Sequence, residues 1–495
     1  MVYKPSKGAY IPPFWDIYGE ERCLYKQVSG NKRHVIMKTK LILFFLFLIN
    51  ISFAQKNITN LNSSLDFGDG IVLNTFLNIK QNRDNIIITS PKNADYRIFG
   101  HLKGTIARIL GKSPKKGILL TINNKLVNDT LNGEMNIPMF GKLKFKGIYK
   151  NGILTGNMIQ NDTLIIGTIK GIKGNRKPIN YSYLYPKILE VTKKHIFSSK
   201  VLKTKEWEKS KKKIKKLLDN VQDDIELFIG FNILARNAPF SHYGIFIQEK
   251  EIESDTLKKK NQAEKDENEI VKHAVDFKEI NTQTAYLKIK TFEAYAKKDL
   301  QNILPQIVNK NYKNLIIDIR DNGGGGIIAA SEFAKYLVDD DILVGYFITN
   351  KLAYSGFQSD LFNTLPEIDM KSDKKFMENL TKGKGAKLIF KHQTNKIYTG
   401  NLYVLVNGNT ASTCEPIVYL LKKTNKATIV GKNTMGAMLS ANYFNVDNKY
   451  NLYLPIADFY TFDGIRLEGV GVTPNVETKS ENALDKTLEI INNKK

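Results

Sequence analysis

Two short stretches carry residues whose types and spacing suit chemistry on a developing anion. The first is residues 315–326, LIIDIRDNGGGG, where four consecutive glycines let the backbone pass close to a ligand and turn N–H groups toward it. The Gly-Lys-Ser/Thr ending of a phosphate loop is missing, and no separated G-x-G-x-x-G opens the next helix, so nucleotide binding is not indicated. A tight turn with Asp318 and Arg320 paired on one strand face would account for the same residues without chemistry. The second stretch is residues 407–415, NGNTASTCE. Ser412 stands there at the start of a predicted helix, where orphan N–H groups and the helix dipole favour negative charge. A plain alternative also stands: Ser412 as a helix cap, with Glu415 as its capping-box partner.

Both stretches fall where a strand gives way to a helix. From Ala285 onward, apolar strands are predicted at 285–289, 315–319, 342–348, 402–406 and 427–430. Helices are predicted at 300–308, 327–338 and 412–422. This alternation predicts an α/β core of parallel character, whose sites lie at the carboxyl ends of strands. Upstream, Trp207, Ile214, Leu217, Leu218, Val221, Ile225 and Phe228 recur at helical steps, with the lysines of 211–216 on the solvated face. Residues 56–183 read as β-rich, with runs at 71–79, 86–89, 96–102, 117–122, 142–149 and 163–172. Turn signals between them are Asn123-Asn124, Asn132-Gly133, Asn151-Gly152 and residues 171–174. Such hairpins suggest a small barrel or sandwich, and no convergent acidic, His or Cys cluster gives it chemistry.

Composition narrows the remaining classes. The chain has 495 residues and a net charge of +25, long enough for several domains. The excess is mostly lysine scattered among Asn and Ile, without the basic/aromatic interleaving of a nucleic-acid surface, so no nucleic-acid partner is expected. Two cysteines exclude a disulfide scaffold or a thiolate metal cluster, and no ligand spacing implies a metal or organic cofactor. From Met37 the sequence reads MKTKLILFFLFLINISFAQ: a basic start, an uncharged run to Phe53, then Ala54-Gln55. That is the order of a secretory signal, and the run is short for a membrane span. The expected mature chain begins near Gln55, is periplasmic or extracellular, and keeps no membrane span; residues 1–36 read as a non-native extension. An uncleaved anchor is the alternative.

Taken together, the motifs resemble the tail-specific, or carboxyl-terminal-processing, serine peptidase family, which includes the tricorn core and the interphotoreceptor retinoid-binding repeats. Residues 315–326 resemble its D-x-R-x-N-x-G-G segment and Thr410 to Glu415 its T-x-S-x-x-E segment. GKNTMG at 431–436 is similar to its G-x-x-T-x-G turn, and GIRLEGVGVTP at 464–474 to its closing segment. The resemblance covers 184 to about 480. It implies a mixed sheet with flanking helices in a crotonase-like, ClpP-type βαβ arrangement, preceded here by the β-rich domain and a helical segment. It implies a protein or peptide substrate and makes Ser412 the nucleophile. One branch of the family places a lysine after the G-x-x-T-x-G turn; this chain has Ala437 there. The tricorn-like branch takes a histidine from an upstream segment, and Ser241-His242 fits that place. His242 is then the general base, near its ordinary pKa of ~6.5, with Glu468 and Ser241 completing the relay. Thr413 and Gly324 would supply the oxyanion hole, and Cys414 is expected to be core packing. Only 42 residues separate His242 from Ala285, too few for a PDZ domain. The expected organisation is 37–54 signal, 56–183 β-rich domain, 184–247 helical segment ending in the Ser-His pair, 248–272 charged loop, 273–480 catalytic core and 481–495 tail. The other reading is a non-catalytic relative that binds a peptide or apolar ligand.

Overall fold

The structure is a computed structural model that describes residues 58–493, except 69, 83, 92–119, 138–140, 161, 249–272, 353–355, 369–371 and 393–395. The expected leader, the stretch before it, the expected strand 96–102 and the charged run 249–272 lie outside the described residues.

Eight antiparallel strands close into a barrel in simple meander order: β1 (Ile58–Asp66), β2 (Val72–Asn82), β3 (Asn85–Thr89), β4 (Thr121–Val127), β5 (Thr130–Ile137), β6 (Gly141–Lys150), β7 (Ile153–Gln160) and β8 (Leu164–Lys173), with β8 pairing back onto β1. Alternation drives the closure: Leu61, Leu65, Leu131, Met135, Phe145, Leu154, Met158 and Ile169 point inward and are buried together. Two of the expected turns, and all of 171–174 except Gly174, are strand instead. Asn123-Asn124 lies inside β4 and Asn132-Gly133 inside β5, where Gly133 sits against the Asn123 carbonyl. Asn-rich pairs favour turns, but here the ladder satisfies their backbone. The turn falls at Asn128 and Asp129, both with positive φ.

Three helices follow, Leu184–His195, Lys205–Leu218 and Asp224–Ala235. The single apolar face expected through Phe228 is broken after Leu218, because Asp223 starts a new helix by accepting from the Glu226 amide at 2.8 Å. Every residue of Asp224–Ala235 is buried. Ile225, Phe228, Ile229 and Ile233 pack with the barrel cluster, while Leu227, Phe231 and Leu234 pack into a second cluster. Asp223 also accepts from Thr75 Oγ1 and the Phe76 amide of β2, each at 3.0 Å. Burial pushes its carboxyl up to about 6. Asp224 accepts from the Asn74 amide, the Tyr181 and Tyr450 hydroxyls and Lys449 Nζ.

The remainder is α/β. One sheet has the order β10 (Val275–Asn281), β11 (Thr284–Ile289), β12 (Asn314–Asp318), β15 (Asn401–Val406), β16 (Ala427–Gly431) and β19 (Val476–Glu477), parallel from β11 onward. A second, antiparallel sheet runs β14 (Gly385–Phe390), β13 (Ile342–Thr349), β18 (Tyr450–Thr461) and β17 (Ser440–Asn445), and β9 (Gly244–Ile247) also pairs with β18. Helices Ala296–Lys310, Ile327–Ala334 and Cys414–Lys423 contribute Leu300, Phe333 and Ile417 to the core that includes Leu287, Ile317 and Val404.

Candidate active site

The glycine turn after β12 and the serine turn after β15 are stitched to each other. The Ala411 amide donates to Asn322 O at 3.1 Å, Thr413 Oγ1 to Gly325 O at 2.7 Å, and Thr410 Oγ1 to Ile319 O at 2.9 Å. Asp318 and Arg320 do pair, through Arg320 Nε at 2.9 Å, and Tyr286 OH joins the same carboxylate at 2.6 Å. Arg320 Nη1 also donates to the Ser480 carbonyl, so the pair ties this turn to the chain at 480. Gly324 adopts φ +100, and a Cβ there would lie 2.7 Å from Ser412 Cβ and 3.1 Å from the Thr413 nitrogen. Only glycine brings the backbone that close.

Ser412 is neither in the helix nor its cap. The helix starts at Cys414, with Thr413 before it making no side-chain capping bond, and Ser412 is left-handed at φ +54. A non-glycine residue holds this conformation only when its surroundings impose it. The imposing contacts are Ser412 N to Ala437 O at 3.1 Å and Glu415 N to Ser412 O at 2.8 Å. Cys414 is fully buried against Asn322 O, and burial raises its thiol, so core packing is what it does.

His242 repeats the pattern at φ +58. It is buried rather than a surface loop histidine. Ser241 Oγ lies 2.7 Å from His242 Nδ1 and donates to Glu468 Oε2 at 3.0 Å, while the Ser241 amide donates to Glu468 Oε1 at 2.9 Å. A hydroxyl has one proton. With that proton directed at Glu468 as a donor, Ser241 Oγ accepts from Nδ1–H, which leaves Nε2 as the nitrogen with the lone pair. Desolvation lowers His242 to about 3, well below the expected ordinary value, and raises Glu468 from its ordinary value. Asn232 fixes the strand that follows: its side chain brackets Ile245, accepting from N at 3.1 Å and donating to O at 2.9 Å. A Cβ on Gly244 would fall 2.4 Å from Asn232 Oδ1.

Residues 437–438 link the two groups. Ala437 O receives the Ser412 amide, and the Met438 amide donates to Glu468 Oε2 at 2.8 Å. A continuous path therefore runs from Ser412 through 437–438 and Glu468 to Ser241 and His242. Ala437 itself is buried with its backbone engaged on both sides, so no ammonium group occupies that place.

Gly324 departs from its expected role as donor. Its amide already donates to Asn322 Oδ1 at 2.9 Å. Two residues were missed as site builders. Asn322 is buried and also donates from Nδ2 to Ile289 O at 3.0 Å. Glu415 is buried and accepts from Thr434 Oγ1 at 2.6 Å, Gly436 N at 2.7 Å, Ala437 N at 2.8 Å and Ser412 N at 3.2 Å. Asn322 stood in its motif only as a spacing letter; Glu415 was weighed as the capping-box partner of Ser412, and its bond from the Ser412 amide is that half of the box.

Glu415 carries a stability prediction. Burial raises it from 4.5 to about 7. It therefore binds its proton more tightly in the folded chain than in the unfolded one. Its contribution is full below pH ~4.5 and is lost as pH rises through ~7. Glu415→Gln turns one acceptor into a donor facing these amides, at a cost of about 3 kcal/mol. Urea denaturation should show a lower midpoint at unchanged slope and lose this pH dependence; an unaltered midpoint would remove Glu415 as the brace.

Residues 283–478 match the model of peptidase family S41, so this part of the chain is a domain of that family. Carboxyl-terminal-processing peptidase 1, chloroplastic, of Arabidopsis thaliana is 26% identical over 190 residues, 38% of this chain and 32% of that one. The carboxy-terminal processing protease of Bacillus subtilis is 21% identical over 193 residues, 39% of this chain and 34% of that one. The chain thus spans about a third of the length of the curated relatives it matches. Among solved structures, the tricorn protease aligns at 11% identity with a TM-score of 0.39, covering 87% of this chain and 58% of that one.

Proposed function

We propose that the chain is an exported serine peptidase in which Ser412 attacks peptide bonds of a protein or peptide substrate. The observation that carries this reading is the pair of constrained left-handed residues, Ser412 and His242, tied into one network through 437–438, Glu468 and Ser241. Ser412 Oγ bonds to the substrate carbonyl carbon as its proton passes to His242 Nε2. The charge on the carbonyl oxygen is received by the amides of Thr413 and, because the Gly324 amide is engaged, Gly325; each such donor is worth ~3 kcal/mol in the transition state. His242 returns the proton to the leaving amine, and water then cleaves the acyl-serine by the same route. Ser241 and Glu468 hold the ring and support the imidazolium.

Labelling with a fluorophosphonate probe tests the assignment: a covalent adduct on Ser412 is the expected result. An absence of labelling at every pH would favour the non-catalytic, ligand-binding alternative. Export has its own test. Amino-terminal sequencing of the secreted product should begin at or near Gln55, and a product retaining residues 1–36 would refute both the leader and the start at Met37.

A further inference from the structure

One end of the barrel is unlike the rest of its surface. In a meander of eight antiparallel strands, the start of β1, the β2–β3, β4–β5 and β6–β7 connections and the end of β8 lie at one rim. Ile58, Ile87, Val127, Ile148, Ile153 and Ile172 all stand within three residues of those strand ends, and each is 44–64% exposed. Isolated exposed apolar residues are ordinary, but a ring of them is not. Lysines interleave with them in register. Lys80 of β2 lies directly between Ile58 and Ile87, and Ile153 lies between Lys150 and Ile172. Exposed Lys125, Lys170 and Lys173 belong to the same end. The acids there are Asp84 and Asp129, the latter 3.2 Å from Lys150.

We propose that this rim docks on an anionic phospholipid bilayer. The aliphatic side chains lie within about 10 Å of the strand ends, a depth matching the headgroup–acyl boundary reached by interfacial segments. The lysines among them face lipid phosphates. A soluble polyanion would meet the charges but leave six aliphatic side chains in water. A second copy of this rim would bring like charges together. The barrel does not span the bilayer, because the outward positions of β6 away from the rim are Lys142, Lys144 and Lys146.

The test is co-sedimentation of the full chain with phosphatidylcholine vesicles, with and without an equal part of phosphatidylglycerol. The chain should pellet with the anionic vesicles only. Ile148→Ser/Ile153→Ser/Ile172→Ser and, separately, Lys80→Gln/Lys170→Gln/Lys173→Gln should each weaken binding about tenfold or more, with the denaturation midpoint unchanged. Three outcomes would overturn the proposal: no preference for anionic vesicles; vesicle binding untouched by both variants; or dextran sulfate binding without vesicle binding. A concentration-dependent dimer abolished by the isoleucine substitutions, again without vesicle binding, would point to self-association instead.

Discussion

Ser412→Ala is expected to abolish cleavage and fluorophosphonate capture while the chain remains folded. The loss should approach 10⁶-fold, the order seen when the nucleophile of a concerted set is removed. The fold should persist because alanine keeps the Cβ that packs beside Gly324, and the backbone bonds at this turn involve N and O rather than the hydroxyl. The informative comparison is the variant's residual rate against its melting temperature. A folded variant with undiminished turnover would dismiss Ser412 as nucleophile. A variant that unfolds is not expected, since nothing buried is exposed.

The second large effect concerns His242, and its pH dependence differs from that of an ordinary imidazole. His242→Ala should lower kcat/KM by ~10³-fold or more, because the base and nucleophile fail as a unit. Only neutral imidazole accepts the serine proton. With His242 lowered to about 3, that form persists through the whole neutral range, and no limb near 6.5 is expected from the ring itself. Glu468, raised by burial, takes up its proton first as pH falls. The charge supporting the imidazolium is then lost. The acid limb of kcat/KM should therefore report a carboxyl, and Glu468→Gln should lower the plateau and move that limb. Because Glu415, raised to about 7, also touches the Ser412 amide, only a limb at about 6.5 that survives both Glu468→Gln and Glu415→Gln would reverse the assignment. Near-normal activity in His242→Ala would require another base.

The Ser412 and Ser241-His242 segments were legible through the resemblance to a known family, whose motifs fix both residue type and chain order. Ser412, Ser241, His242 and Glu468 all stand in those motifs, and hydrogen bonds through 437–438 connect them in one network. Their roles remain part of the proposal. What sequence did not reveal was the environment. Nothing in the letters around His242 announces that the ring is buried, so its basicity was placed near the free value. The same holds for Ser412, whose left-handed backbone depends on the carbonyl of Ala437, a partner twenty-five positions away. In the barrel, β6 and β8 were evident from alternation, whereas β4 and β5 were obscured by asparagines that turn statistics favour. The break before Asp224 was hidden because the apolar spacing continues across it; the capping aspartate was the signal overlooked.

Ser241 and His242 lie upstream of the stretch that matches family S41, whereas Ser412 and Glu468 lie within it. What sets them side by side in space is noncovalent: the Ser241 bonds to Glu468, β9 laid along β18 with Gly244 opposite Tyr453, and Asp224 paired with Lys449. Under the proposed mechanism, a fragment holding the serine without its upstream segment is proteolytically silent, however well it folds. Activity then becomes a property of assembly rather than of a sequence block. Truncated or half-degraded copies would be harmless, and a disturbance that slides β9 along β18 would switch the chemistry off without touching a reacting atom.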